Sequence, residues 1–213
     1  MPNLQTQFIE FLIENNALQF GEFTLKSGRI SPYFFNLGVF NTGKSLSKLG
    51  EFYAETLINS RMHYDLLFGP AYKGIPLVTA TSIILFEKFN SNIPYCFNRK
   101  EKKDHGDKGS FVGAELKGNV VMLDDVITAG TTVCETVSLL ENTDATLSGI
   151  IIAFDRQERG EGKLSGVQEA VKTHKIPVQS IVNLTDVVQY LQTQKKYAAQ
   201  LSAIEQYRKQ FGV

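Results

Sequence analysis

Apolar residues recur along the chain at two periods, and the two alternate. Leu4, Phe8, Phe11, Leu12 and Ile13 share one face of a 3.6-residue spiral and predict an opening amphipathic helix. A turn around Ser27-Gly28-Arg29 leads into a short strand predicted over Tyr33–Leu37, and Leu46–Ile58 reads as helix. The run Tyr64–Phe68 ends in Gly69-Pro70 and reads as a strand, followed by helix over Ile75–Phe89 and a short strand over Pro94–Asn98. Val120–Leu123 has the unbroken apolar character of a strand buried on both faces. Helix over Thr131–Leu140, strand over Leu147–Phe154, helix over Ser165–His174, strand over Val178–Val182 and helix over Leu191–Phe211 complete the pattern.

Short apolar runs alternating with helices predict βαβ units around a parallel sheet. Such sheets bind ligands beyond the carboxyl ends of their strands. The loops after Phe68, Asn98, Leu123 and Phe154 are therefore where chemistry is expected. The segment between Arg99 and Gly113 is long, polar and Gly-containing. A loop of that length inside a compact domain reads as a functional lid or as disordered.

The chain has 213 residues, which fits a single α/β domain. Lys+Arg and Asp+Glu both number 22, so no excess of positive charge draws the chain to nucleic acid or an anionic membrane. Phosphate chemistry would have to come from local clusters. No apolar run approaches the roughly 18 residues of a membrane span, and Met1–Phe11 lacks the basic-then-apolar order of a signal peptide. Cys96 and Cys134 sit in apolar stretches and read as small buried hydrophobes, which suits a reducing cytoplasm. His63 and His174 have no acidic or Cys partner at ligand spacing, so a metal caged by protein side chains is not expected.

The richest segment is Val120-Val121-Met122-Leu123-Asp124-Asp125-Val126-Ile127-Thr128-Ala129-Gly130-Thr131-Thr132. Two carboxylates stand where the strand should emerge, and a loop of small residues then enters a helix. Small side chains let backbone N–H groups converge on a phosphate, and the helix N-terminus adds partial positive charge. Thr128, Thr131 and Thr132 add hydroxyl donors. The acids do a different job, accepting hydrogen bonds from sugar hydroxyls or standing near a cation. Together these describe a ribose 5-phosphate site. A capped helix alone would account for one acid and one Thr, not for this set.

A rival is written earlier in the chain. Gly38-Val39-Phe40-Asn41-Thr42-Gly43-Lys44-Ser45 satisfies the P-loop pattern, and Val120–Asp124 could be its second acidic strand. Three things oppose a P-loop NTPase. The preceding segment Ser31-Pro32-Tyr33-Phe34-Phe35-Asn36 carries Pro and Asn where a central strand disfavours them. A second phosphate cradle after Asp124 would be redundant. Thr42–Ser45 is also a good polar turn into a helix.

Two basic loops belong with the first motif. Gly69-Pro70-Ala71-Tyr72-Lys73-Gly74 offers backbone donors and one cation ahead of a helix, as a diphosphate would need. Arg99–Gly109 packs five cations, three acids and His105 into one stretch. A cationic lid of this kind could close over an anionic substrate and shield a reactive sugar cation from water.

The Val120–Thr132 segment is similar to the signature of type I phosphoribosyltransferases, which bind 5-phosphoribosyl-1-pyrophosphate (PRPP). Two further segments narrow the resemblance. Glu22–Asn36 resembles the N-terminal hood of orotate phosphoribosyltransferases, and Asp155-Arg156-Gln157-Glu158-Arg159-Gly160 resembles their base-recognition loop. The resemblance implies a type I phosphoribosyltransferase fold, a central mostly parallel sheet flanked by helices. It implies one domain over 1–213, with a small hood over about 1–40 and a mobile lid over 99–113. The chain is too short for the fused decarboxylase domain of bifunctional relatives.

By position, the resemblance implies that Val126, Ile127 and Thr128–Thr132, including Ala129 and Gly130, hold the 5-phosphate, while Asp124 and Asp125 take the ribose hydroxyls. Tyr72 and Lys73 face the diphosphate, joined by Arg99, Lys103 and His105 from the lid, and Lys26 also binds PRPP. Lys100 reaches PRPP in a neighbouring subunit of a homodimer. Lys26, Phe34, Phe35, Thr128 and Arg156 surround orotate, an anion for which an Arg beyond a strand end is apt. Magnesium arrives on PRPP without direct protein ligands, and Lys103, Asp124 and Asp125 carry the catalytic roles. The implied reaction makes orotidine 5′-phosphate and pyrophosphate, with no nucleic acid or membrane partner. A non-enzymatic PRPP sensor would lack the cationic lid.

Overall fold

The computed structural model describes residues 2–101, 110–128, 130–141, 143–160 and 162–213. Its frame is a six-stranded sheet with β3 (Leu66–Gly69), β4 (Tyr95–Asn98), β5 (Phe111–Gly113), β6 (Lys117–Asp124), β7 (Asp144–Asp155) and β8 (Val178–Asn183) in the order β5-β4-β3-β6-β7-β8. All neighbours are parallel except β4 and β5. A separate two-stranded antiparallel sheet pairs β1 (Leu18–Thr24) with β2 (Ile30–Phe35).

The unbroken apolar runs in β6 and β7 follow from burial on both faces. Alternate side chains go to opposite sides: Val121, Leu123, Ile151 and Ala153 join one core, while Val120, Met122, Ile150 and Ile152 join the other. The first core is covered by α1 (Leu4–Glu14), α2 (Gly43–Ser60), α3 (Gly74–Phe89), α6 (Leu184–Gln192) and α7 (Ala198–Phe211). The second is covered by α4 (Thr131–Leu140) and α5 (Gly166–His174). Each completely buried Leu, Ile or Val side chain contributes about 1.5–3 kcal/mol, which is why both layers are needed.

Most predicted elements stand within a few residues of their expected bounds, with informative exceptions. The strand expected over Tyr33–Leu37 lies earlier, at Ile30–Phe35, because the Asn36 side chain accepts the Gly38 N–H and turns the chain into one turn of 3-10 helix at Leu37–Val39. Strands β1 and β5 were not expected. β1 has a register irregularity between Phe20 and Phe23 that blurs its alternation, and β5 has only three residues. The single closing helix expected over Leu191–Phe211 is two helices. Leu191 lies in the last turn of an amphipathic helix begun at Leu184 under an Asn183/Asp186 capping box, and the chain turns through Thr193–Tyr197 before α7.

Cys96 is buried as expected, but Cys134 is exposed. Val133, Thr136 and Leu140 take the inner face of α4, leaving Cys134 outside with its Sγ 3.6 Å from His174 Nε2. Sequence spacing could not pair residues forty positions apart on two helices of the same layer. Among the described residues, no helix is long and apolar enough to cross a membrane.

Candidate active site

β3 and β6 are neighbours, yet β3 is followed in the chain by β4 on its other side. The sheet therefore changes winding direction between them, which opens a crevice at their carboxyl ends. The loops after β3 and β6 face that crevice, and they meet there: Lys73 Nζ donates to Asp125 Oδ2 at 2.6 Å.

The acidic pair is built by the strand end. Asp124 and Asp125 are both buried, 6 % and 7 % exposed. The Asp125 N–H donates to Asp124 Oδ1 at 2.8 Å and the Val126 N–H to Asp125 Oδ1 at 2.9 Å. The Tyr53 hydroxyl on α2 donates to the Asp124 carbonyl at 2.7 Å. Burial, reinforced by the Asp125 charge, pushes the Asp124 carboxyl up to about 7. Burial likewise raises the Tyr53 phenol well above its usual range, so it remains a donor.

The loop into α4 is open where a ligand would come. Gly130, at the N-cap of α4, has φ +71°, and a Cβ there would meet nothing within 4 Å. Thr128 and Thr131 are exposed, Thr132 partly so. From behind, the start of α5 braces the loop so closely that a Cβ on Gly166 would lie 2.1 Å from the Thr128 carbonyl oxygen. The loop after β3 is equally tight: a Cβ on Gly69 would fall 2.3 Å from the Gly74 carbonyl oxygen. Asn98, at the end of β4, accepts the Ala71 N–H at 2.7 Å and ties this loop to the next strand.

Tyr72 is 64 % exposed, and Lys100 Nζ stands 5.4 Å from its ring centroid, a cation–π distance. The Arg99 N–H donates to the Ser110 carbonyl at 2.7 Å, joining the chain after β4 to the chain before β5. Lys103, His105 and Ala129 lie outside the described residues.

The loop after β7 is of another kind. Arg156 Nη2 donates to Glu158 Oε1 at 2.7 Å and to Ser31 Oγ at 3.2 Å, and the guanidinium lies 4.3 Å from the Tyr33 ring centroid. Glu158 also accepts from the hydroxyls of Tyr33 and Tyr207. Burial opposes the Arg156 charge, yet Tyr33 and Glu158 outweigh it and hold its pKa above the usual value. Phe34 is 38 % exposed and stacks on Phe23 at 5.4 Å, whereas Phe35 packs on core Phe154 at 5.1 Å. Lys26 is exposed at the tip of the β1–β2 hairpin.

Thus Tyr72, Lys73, Asp124, Asp125, Val126–Thr128 and Gly130–Thr132 gather at one sheet edge, bordered by Arg99 and Lys100. Tyr53, Asn98, Gly166, Ser31, Tyr33 and Tyr207 support the site without having been singled out. Ser31, Tyr33 and Glu158 lie inside the segments that resemble the family, but Tyr207 carries no local signal. The P-loop match does not form a P-loop. β2 is outside the six-stranded sheet, Thr42 is the N-cap of α2, and its hydroxyl accepts the Ser45 N–H in a capping box.

Residues 40–187 match the phosphoribosyl transferase domain family. The chain is 55 % identical to the orotate phosphoribosyltransferase of Shewanella oneidensis over 213 residues, covering 100 % of this chain and 99 % of the relative. It is 52 % identical to that of Shigella flexneri, with both chains completely covered. The solved orotate phosphoribosyltransferase of Francisella tularensis superposes with a TM-score of 0.89 at 43 % identity, covering 97 % of this chain and 100 % of that one. With this sheet, this acidic strand end and relatives aligned over its whole length, the chain belongs to the orotate phosphoribosyltransferases, within the phosphoribosyltransferase family.

Proposed function

We propose that this protein transfers the 5-phosphoribosyl group of PRPP to orotate, releasing pyrophosphate and making orotidine 5′-phosphate for pyrimidine nucleotide synthesis. The observation that carries the reading is the meeting of Lys73 with Asp125 beside an unobstructed helix N-terminus at the switch point of the sheet. One loop suits a diphosphate, the other a ribose 5-phosphate, and they adjoin.

In this reading Val126–Thr132 hold the 5-phosphate through loop amides and hydroxyls. Asp124 and Asp125 accept the ribose hydroxyls and stabilise the positive charge that grows at C1 as the diphosphate leaves. Lys26, Tyr72, Lys73, Arg99 and His105 receive the diphosphate, and Lys103 assists its departure. Lys26, Phe34, Phe35, Thr128 and Arg156 surround orotate. The lid over 99–113 excludes water, and residues up to about 40 form the hood.

The donor set fits magnesium carried on PRPP. Asp124 and Asp125 supply hard carboxylate oxygens near the diphosphate loop, and among the described residues no group of three or more His, Cys, Asp or Glu could hold a metal by itself. When bound, magnesium would neutralise charge on the leaving diphosphate.

A homodimer is part of the proposal. α3 exposes Ile83, Phe86 and Phe89 along one side, an apolar face suited to a second copy, and Lys100 would reach that copy's PRPP. A cytoplasmic location is proposed with it. The test follows orotate absorbance with PRPP and magnesium. Orotate consumption is expected, with strong slowing by Lys103→Ala and by Asp125→Asn in folded protein. No consumption by the wild type would reject the activity, and unimpaired turnover in both variants would reject the roles.

A further inference from the structure

The Glu158 carboxylate is the meeting point of three distant parts of the chain. Its Oε1 accepts from Arg156 Nη2 and from the Tyr33 hydroxyl of β2, and its Oε2 accepts from the Tyr207 hydroxyl of α7 at 3.1 Å. The side chains of Arg156 and Glu158 are only 14 % and 9 % exposed. An arginine so buried needs a counter-ion, and a carboxylate so buried needs its lone pairs filled; here each condition is met by the other members.

The cluster also fixes direction. The hydrogen bonds of Arg156 to Glu158 and Ser31 both run through Nη2, and the Tyr33 ring covers one face of the guanidinium. The Tyr207 hydroxyl also interacts with the guanidinium, and the cluster uses only part of its five N–H donors. The Tyr33 ring is itself held edge-on against Phe154 at 5.9 Å and Tyr207 at 6.2 Å. Around the cluster, the Arg159 N–H donates to the Phe211 carbonyl at 2.9 Å and the Val213 N–H to the Gln157 carbonyl at 3.0 Å. Arg29 donates to the Arg159 and Gly160 carbonyls at 2.8 and 3.0 Å. The loop is thus clamped from the hairpin, from Phe211 at the end of α7 and from Val213 beyond it.

We propose that Glu158 is a positioning residue that aims the Arg156 guanidinium at the orotate carboxylate, with Tyr33 and Tyr207 holding Glu158 in turn. The inference rests on the reading of Arg156 as an orotate-binding residue. Because Glu158 neutralises the arginine, recognition depends on the orientation of the remaining donors more than on net charge.

The experiment is steady-state kinetics on the intact enzyme, with the KM for orotate and for PRPP measured separately. Glu158→Gln is expected to raise the orotate KM about tenfold and to leave the PRPP KM within about twofold. Tyr207→Phe, which keeps the ring and removes one donor, is expected to raise the orotate KM about two- to threefold. Should Glu158→Gln fail to fold, Tyr207→Phe carries the test. An unchanged or lowered orotate KM in the folded variant overturns the proposal, a lowered one meaning that Glu158 competes with orotate for Arg156. Arg156→Ala separates the layers. If it leaves the orotate KM unchanged, the underlying reading of Arg156 fails. If it raises that KM but Glu158→Gln raises it equally again in the Arg156→Ala background, only the positioning role fails.

Discussion

The two loops proposed to hold the two substrates are built in opposite ways. The segment Asp124–Thr132 takes its shape mainly from its own backbone, although Tyr53, Lys73 and Gly166 touch it: one strand end presents two acids, their carboxylates accept from the next N–H groups in the chain, and a glycine at positive φ opens the helix behind them. The segment Asp155–Gly160 is held from outside, by Ser31 and Tyr33 of β2, Arg29 of the hairpin, Tyr207 of α7 and the backbone of Phe211 and Val213. A ribose phosphate can be gripped by backbone amides, which any short loop provides. A planar anionic base needs a side chain held at a set angle, and that requires buttresses from several elements.

This contrast predicts a graded set of effects. The largest belongs to the local site. Asp125→Asn removes the partner of Lys73 and one carboxylate proposed to face the sugar, so turnover should fall by about a hundredfold or more, a loss typical of electrostatic groups at a reacting centre. Stopped assays at saturating PRPP and orotate measure it; a loss under threefold would remove Asp125 from the reacting centre.

Next comes the brace behind that loop. Gly166→Ala places a Cβ against the Thr128 carbonyl, so stability should drop by about 1–3 kcal/mol and the PRPP KM should rise with it. Gly130→Ala meets open space but must adopt positive φ, at a cost of about 1 kcal/mol. Denaturant titration ranks the two, and the reverse order would mean that α5 does not support the loop.

A smaller effect depends on pH. The Asp124 carboxyl titrates near 7 in the folded chain and near about 4 when unfolded, so the native state favours its neutral form. Stability should decline as pH rises through that window and level off above it. Asp124→Asn keeps an acceptor for the Asp125 N–H without the charge. Its melting temperature should match the wild type below about pH 4 and exceed it by a margin that widens up to about pH 7 and then stays constant. Thermal melts without substrate or magnesium give the comparison; a variant less stable at pH 8 than the wild type would contradict it.

The smallest effect concerns the outer clamp of the base loop. Arg29 donates to the backbone carbonyls of Arg159 and Gly160 and lies over the Phe211 ring at 4.8 Å. Arg29→Ala should raise the orotate KM by about two- to fivefold, the loss of one or two exposed charge-assisted bonds. If it equalled the effect of Glu158→Gln, the clamp would matter as much as the pair it encloses.

By itself the sequence determined the alternation of strands and helices, the acidic strand end, the small-residue loop and the edge where both lie. These are encoded by neighbours: periodicity buries a strand, and N–H groups a few residues away satisfy its last carboxylates. Only the tertiary structure decided that Lys73 reaches Asp125, that the P-loop match is a capped helix start in α2, that Cys134 faces outward and that the closing segment is two helices. It alone joined Glu158 to Tyr33 and Tyr207. The reason is that a hydrogen bond or a buried charge has no preferred separation along the chain, so partners 125 and 49 residues away leave no periodic trace.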